Sequence, residues 1–469
     1  MRGSLLYGFL IVSWATINGN GLAQVRESQK WEAEIEPFSS LPSPVFELEA
    51  GQGLRLSALS TDLDLDGFVY DADSKELVDK SDDEKVEQYY EWRAFKRGKY
   101  YMVVRNISAH GGSSEVDVLP RGTAKSLGDI RAPNTVVMDV YYATDRAVIG
   151  QSAKGTSYGT EPLGEDRLEY GIARVTIPQA HAMGELEGPS ILRLEFSEDP
   201  EKHVVLKSTT PESPDSFYMK VSDRVLKSPR REALVFVHGF NVTFEDAARR
   251  TAQISYDLGF AGAAILYSWP SQGKLGLVEY NKDGRNAELS VPHFKAFLSQ
   301  FSARTGVRTI HVIAHSMGNR VVMKALADGS VSRSGGPIRI REVALMAPDI
   351  DAAEFRRLAV AMQGSAHRVT LYASSKDAAM QASERLSGYP RAGEGGDQIV
   401  IMPGVIETID SSTVDTSLLG LMHQYYADNS TILADLFHLI RGEDAHERFR
   451  LKPVNNVHGQ YWVFAPAVR

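Results

Sequence analysis

The chain has 469 residues, 43% of them hydrophobic and 24% charged, a balance that supports a sizeable buried core and more than one domain. With 51 Lys and Arg against 60 Asp and Glu the formal net charge is -9, and the basic residues form no long block, which argues against a nucleic-acid backbone as the main partner. No cysteine is present, so neither a disulfide framework nor a lipid-anchored cysteine can form.

The first residues, "MRGSLLYGFLIVSWATINGNGLAQ", carry one positive charge at Arg2, an apolar run from Leu5 to Ile17 and then small residues. The run is too short to span a bilayer and has the form of a secretory signal peptide over 1–23, cleaved after Ala23. An uncleaved anchor is the alternative. The expectation is export to the periplasm or beyond, with no stable membrane span in the mature chain.

Residues 24–44 are polar and read as a linker. From "VFELEAGQGLRLSALS" the pattern turns to short alternating stretches, "GFVYDAD", "VEQYYEW" and "KYYMVVRNI", broken by Gly, Asp and Ser, which is the rhythm of a small all-β sandwich over 45–118. Through "GQGLRLSAL", "DLDLDGFVYDAD" and "RGKYYMVVRN" this module resembles the pre-peptidase C-terminal type of β-sandwich found in secreted bacterial enzymes. Its expected role is to bind a polymer or a partner. Within it, Asp62, Asp64, Asp66, Gly67 and Asp73 have the spacing of a calcium loop. The flanks alternate like strands and the twelfth position is Asp rather than a bidentate Glu, so a strand and turn is the expected structure, with calcium binding as the alternative.

Residues 119–133 form a second expected linker, and 134–469 a catalytic domain. "TVVMDVYYATDR", "LEYGIARVTIP", "SILRLEFSE" and "HVVLKST" read as strands with hairpin-type connections. From "ALVFVHGF" onward, short apolar strands alternate with amphipathic helices, which predicts a doubly wound, mostly parallel α/β sheet covered on both faces. The strands are "ALVFVHGF", "AAILYSW", "IHVIAHS", "EVALMAP", "RVTLYAS" and "QIVIMPGV"; the helices are "TFEDAARRTAQISYDL", "VPHFKAFLSQF", "MGNRVVMKALA", "AAEFRRLAVAMQ", "DAAMQASERL" and "HQYYADNSTILADLFHLI". The stretch "SQGKLGLVEYNKDGRNAELS" reads as a loop, and the residues after the last helix as a polar tail.

At "IHVIAHSMGNRVV" a strand runs into a serine with small residues two places before and after, Ala314 and Gly318, and a helix follows. In an open α/β sheet, ligands gather at the carboxyl ends of the strands, and a serine on such a sharp turn is thrust out at that edge. A helix-capping serine is the bland alternative. The chemistry also needs backbone donors for an oxyanion, a base and an orienting acid. "HGFN" after the first parallel strand offers Phe240 or Asn241, and Met317 follows the serine. In the chain order Ser, acid, His, the base is His423 in "GLMHQYY", because His438 lies on an amphipathic helix and His446 and His458 in the tail. The acid is Asp377 in "LYASSKDAAM", with Asp349 and Asp351 in "MAPDID" as alternatives. His238, Trp269, Tyr280 and His315 are candidate pocket residues. No cofactor is expected, and no metal in the chemistry, since there is no "HExxH" and no tight His or carboxylate cluster.

Residues about 138–440 resemble the bacterial α/β-hydrolase family known as domain of unknown function 900, related to esterases and lipases, through "YYATDR", "YGIARVTIP", "VFVHGFNVTFEDAARR", "YSWPSQG", "AHSMGNR", "MAPDID" and "YASSKDAAM". The resemblance implies an α/β-hydrolase fold and a serine hydrolase of unassigned substrate. The expected activity is hydrolysis of small or medium-sized carboxylic esters through an acyl-enzyme. The alternatives are an amidase or peptidase with the same triad, and a catalytically silent binding protein.

Overall fold

A computed structural model of the chain describes residues 30–35, 40–43, 45–48, 52–58, 65–73, 77–80, 89–94, 97–106, 112–119, 125–126, 135–164, 167–178, 181, 183–184, 186–188, 198–228, 230–329, 340–376, 389–414, 429–448 and 450–465. The expected signal peptide, the stretch "DAAMQASERL" and all but the last residue of "SILRLEFSE" lie outside these residues. The chain divides into two compact units, 1–137 with 178–183, and 138–177 with 184–469.

The first unit contains strands β1 (Lys30–Ile35), β2 (Ser40–Pro42), β3 (Phe46–Leu48), β4 (Gly53–Ala58), β5 (Leu65–Asp71), β6 (Leu77–Lys80), β7 (Tyr89–Arg93), β8 (Gly98–Asn106), β9 (Gly112–Leu119) and β10 (Lys125–Ser126). They form two antiparallel sheets, ordered β1-β9-β4-β7 and β10-β3-β8-β5-β6, with β2 also paired to β8. Leu54, Leu56, Trp92 and Val116 of one sheet share a core with Phe46, Val69, Tyr100, Met102 and Val104 of the other, the alternate residues of each strand. Strands β1 and β2 fall within 24–44 and β10 within 119–133, where linkers were expected. The reason is visible in β1, an edge strand whose Lys30, Glu32 and Glu34 alternate with Trp31, Ala33 and Ile35, so that its charge hides its period. Asp66 and Gly67 lie on β5, where Asp66 pairs with Arg105 of β8, and Asp73 sits in the turn after the strand. Asp62 and Asp64 are outside the described residues. Among the described residues no three His or acidic side chains are grouped to hold a metal ion.

The second unit is built on one 13-stranded sheet. Its elements are β11 (Thr135–Thr144), β12 (Arg146–Ser152), β13 (Gly155–Pro162), β14 (Glu169–Pro178), β15 (Val205–Glu212), α1 (Pro214–Lys227), β16 (Glu232–Val237), α2 (Phe244–Asp257), β17 (Ala263–Ser268), α3 (Leu277–Thr305), β18 (Thr309–His315), α4 (Gly318–Ala327), β19 (Ile340–Met346), α5 (Ala352–Ala361), β20 (Arg368–Ala373), β21 (Glu407–Asp410), α6 (Asn429–Arg441), β22 (Leu451–Asn456) and β23 (Gly459–Phe464). The order is β12-β13-β15-β14-β11-β17-β16-β18-β19-β20-β21-β23-β22. From β11 to β23 along that order the strands are parallel, so their carboxyl ends share one edge. Strands such as β16 "EALVFV" and β17 "AAILYS" are buried throughout, as two-sided helix cover requires. From β16 the chain passes to β17 on one side and returns to β18 on the other, which opens a crevice at the carboxyl ends of β16 and β18.

Three expectations give way here. The expected loop "SQGKLGLVEYNKDGRNAELS" is largely the start of α3, which continues through Pro292. Burial of Phe294, Phe297, Leu298 and Phe301 beneath it outweighs the lost backbone bond at the proline. The apolar run "QIVIMPGV" forms no strand; Ile399 and Val400 are buried, but the place in the sheet belongs to "ETID" of β21. The expected polar tail is the β22–β23 hairpin, with β23 joined in parallel to β21. Among the described residues no helix is long and apolar enough to cross a membrane.

Candidate active site

Ser316 stands between β18 and α4 with φ +49°, a left-handed conformation that costs a non-glycine residue roughly 1–2 kcal/mol. Its own backbone is tied on both sides: its N–H donates to the Met346 carbonyl at 2.9 Å, and its carbonyl accepts from Asn319 Nδ2 at 2.9 Å and from the Asp349 N–H at 3.2 Å. Two glycines make room for the turn. A Cβ on Gly318 would meet the His238 carbonyl oxygen, and one on Gly239 would lie 2.9 Å from the Ser316 Cβ. The loop after β16 is thus pressed against the serine. Phe240 and Met317 donate their backbone N–H groups to no described residue, whereas that of Asn241, itself at φ +59°, reaches Asp283 Oδ2 at 3.4 Å.

The loop is held from behind. His238 is 1% exposed, its ring stacks on Trp269 with centroids 5.1 Å apart, and the indole Nε1 donates to the His238 carbonyl at 2.7 Å. Burial, and then the Arg146 charge, keep the His238 imidazole well below the usual histidine range. Arg146 is itself 1% exposed; burial lowers its pKa to about 10, which leaves it charged at neutral pH. Asp283 of α3 accepts from Ser271 Oγ at 2.6 Å and from the Gln272 N–H at 2.8 Å, fixing the turn after β17 to the same loop.

Asp349 and Asp351 are occupied. The buried Asp349 carboxylate accepts from the Tyr280 hydroxyl at 2.7 Å and from Arg320 Nη2 at 3.2 Å, with Arg391 Nε 3.3 Å away. Asp351 caps α5 by accepting from the N–H groups of Ala353 and Glu354. Asp377 follows the end of β20 within a few residues, and His423 falls between β21 and α6 in the chain; both lie outside the described residues. Of the candidate pocket residues, Tyr280 packs edge-to-face on Phe240 with centroids 5.4 Å apart and lines a cleft of ≈ 270 Å³ with Arg320 and Arg391. His315 ends β18, its Nδ1 2.8 Å from where a Gly239 Cβ would stand. Trp269 is fully buried, so it supports His238 instead of facing a pocket.

A family model described as "Alpha/beta hydrolase of unknown function (DUF900)" matches residues 213–441. This match lies within the second unit, whose fold is that of an α/β hydrolase. No curated protein sequence matches the chain. Among solved structures, a putative cell surface hydrolase from Lactobacillus plantarum WCFS1 is 12% identical, with 46% of this chain and 94% of that one covered and a TM-score of 0.29. The pre-peptidase C-terminal domain of a collagenase from Bacillus anthracis is 13% identical over 19% of this chain and 88% of that one, with a TM-score of 0.17. Likenesses this low say nothing of what the chain acts on.

The α/β hydrolase also brings to its carboxyl edge residues that the sequence reading passed over. Arg146 was visible only as the charged end of "YYATDR", and Asp283 stood in the stretch read as a loop. Asp145 and His293, 2.9 Å apart, join the end of β11 to α3 in the same way. No local sequence signal marks Arg146; its burial, rare for a charged side chain, appears only in the folded chain.

Proposed function

We propose that this α/β hydrolase is an exported serine hydrolase that cleaves small or medium-sized carboxylic esters, with Ser316 as nucleophile, His423 as base, Asp377 as its orienting acid, and the N–H groups of Phe240 and Met317 as oxyanion donors. Ser316 Oγ adds to the ester carbonyl while its proton passes to His423; the C–O bond to the alcohol breaks as that proton is delivered to the leaving oxygen, and water then hydrolyses the acyl-enzyme by the same route. The observation that carries the reading is the left-handed turn at Ser316, pressed against a loop whose Phe240 N–H has no acceptor among the described residues. Strain of that kind persists only where the surroundings impose it, and it gathers at reactive sites. That Asp349 is enclosed by Tyr280, Arg320 and Arg391, and Asp351 by a helix start, favours Asp377 as the acid.

The test is a fluorophosphonate label together with a panel of chromogenic esters and amides, applied to the wild type and to Ser316→Ala. Labelling and ester turnover lost in the variant are the expected result. Turnover of amides alone would move the substrate class, and labelling of the variant at the wild-type rate would remove Ser316 from the chemistry.

A further inference from the structure

A trans peptide unit is planar, so its C=O and N–H point in opposite directions. The Gly239 carbonyl and the Phe240 N–H belong to one such unit, and the carbonyl lies 2.9 Å from His238 Nδ1. If Nδ1 carries the imidazole hydrogen, the carbonyl is held back toward His238 and the Phe240 N–H is turned to the far side. Which nitrogen carries it is decided at Nε2, 3.3 Å from Arg146 Nη2 and 3.1 Å from Ser268 Oγ. A guanidinium has donors only, so it faces Nε2 well only when that nitrogen is bare. Arg146 Nε also donates to Ser268 Oγ at 2.8 Å, which leaves the serine hydroxyl hydrogen free to point at Nε2.

The remaining donors of Arg146 bind main chain: Nη1 reaches the carbonyls of Gly159 and Ser271, both at 2.9 Å, and Nη2 that of Val242 at 2.8 Å. The loop is gripped beyond Phe240 as well as before it. Lysine, with three donors on one nitrogen, cannot reach this spread of acceptors.

We infer that Arg146 is a positioning residue for the reaction at Ser316: it selects the His238 tautomer that turns the Phe240 N–H toward the oxyanion, and it anchors the far side of the same loop. This rests on the assignment of Ser316 and Phe240 above.

The experiment uses the full chain and measures the rate of fluorophosphonate labelling and the kcat and KM of p-nitrophenyl acetate hydrolysis for Arg146→Lys, His238→Asn and His238→Gln. Asparagine places its amide nitrogen near the position of Nδ1, glutamine near that of Nε2. Loss of one oxyanion donor lowers kcat on the order of 10²-fold. Arg146→Lys and His238→Gln are expected to lose about that in kcat and labelling rate with KM changed less than about threefold, and His238→Asn to lose less than about tenfold. A role in packing alone predicts the reverse order, because glutamine fills the histidine volume better. A folded Arg146→Lys protein with wild-type kcat, or His238→Asn as slow as His238→Gln, overturns the inference. Should Arg146→Lys not fold, the histidine pair decides. The underlying assignment fails separately, by a Ser316→Ala protein that still turns over the ester.

Discussion

A Cβ placed on Gly318 would lie 2.3 Å from the His238 carbonyl oxygen and 2.8 Å from that of Val237. The first turn of α4 therefore abuts the backbone end of β16, and the serine turn and the loop after β16 can be neighbours only while position 318 lacks a side chain. Gly318→Ala is expected to lose fluorophosphonate labelling and about 1–3 kcal/mol of stability, the usual range for overpacking a tight site. Urea unfolding and labelling rate check it together; unchanged values for both would show that the contact is easily relieved.

Ser316 offers a comparison of two variants expected to be inactive. Alanine keeps the cost of φ +49°, and glycine removes it. Ser316→Gly should be more stable than Ser316→Ala by about 1 kcal/mol, with neither protein labelled. Equal urea midpoints would mean that the turn relaxes once the side chain is gone.

The two aspartates should fail in different ways. Asp377→Asn is expected to lower turnover by about 10⁴ in a folded protein, the effect of a wrongly held imidazole. Asp349→Asn strips Arg320 and Arg391 of a buried carboxylate and should cost about 3 kcal/mol of stability, as breaking a buried pair does. Thermal melting alongside kcat separates them. A 10⁴ loss at Asp349 with near-normal Asp377→Asn would place the acid one strand earlier.

His238 gives a pH dependence of stability. Its folded pKa lies well below the usual histidine range, so the unfolded chain takes up the proton first. Stability from this group is complete above about pH 6.5 and falls as pH drops below it, by about 1.4 kcal/mol per pH unit. His238→Asn, which carries no titrating ring, should lessen the fall of the urea midpoint between about pH 6.5 and 5 by this amount, while His315, whose pKa burial lowers to about 3, keeps its own share. Parallel profiles for variant and wild type would mean that His238 is not kept neutral.

The alternation of buried strands and amphipathic helices was legible because each of β16 to β20 is a short apolar run, and Ser316 with its flanking Ala314 and Gly318 followed from the junction of two such elements. What escaped depends on tertiary contact. Nothing local in "VEYNKDGRNAELS" announces a helix; the aromatic residues Phe294, Phe297 and Phe301, packed farther along, carry it through Pro292. "QIVIMPGV" is more apolar than "ETID", yet Pro403 and Gly404 turn the chain there, and the shorter segment takes the pairing. Arg146 could not be valued without seeing the carbonyls of three separate segments converge on it.

Asn241, Ser316 and Ala347, each just past the end of one of three adjacent strands, all have positive φ. Together they hold on the order of 3–6 kcal/mol in unfavourable backbone, comparable to the whole stability of a small domain. On warming, these three turns have the most to gain by letting go, while the strands beneath them remain paired. Heat is then expected to end fluorophosphonate labelling several degrees before the molecule melts.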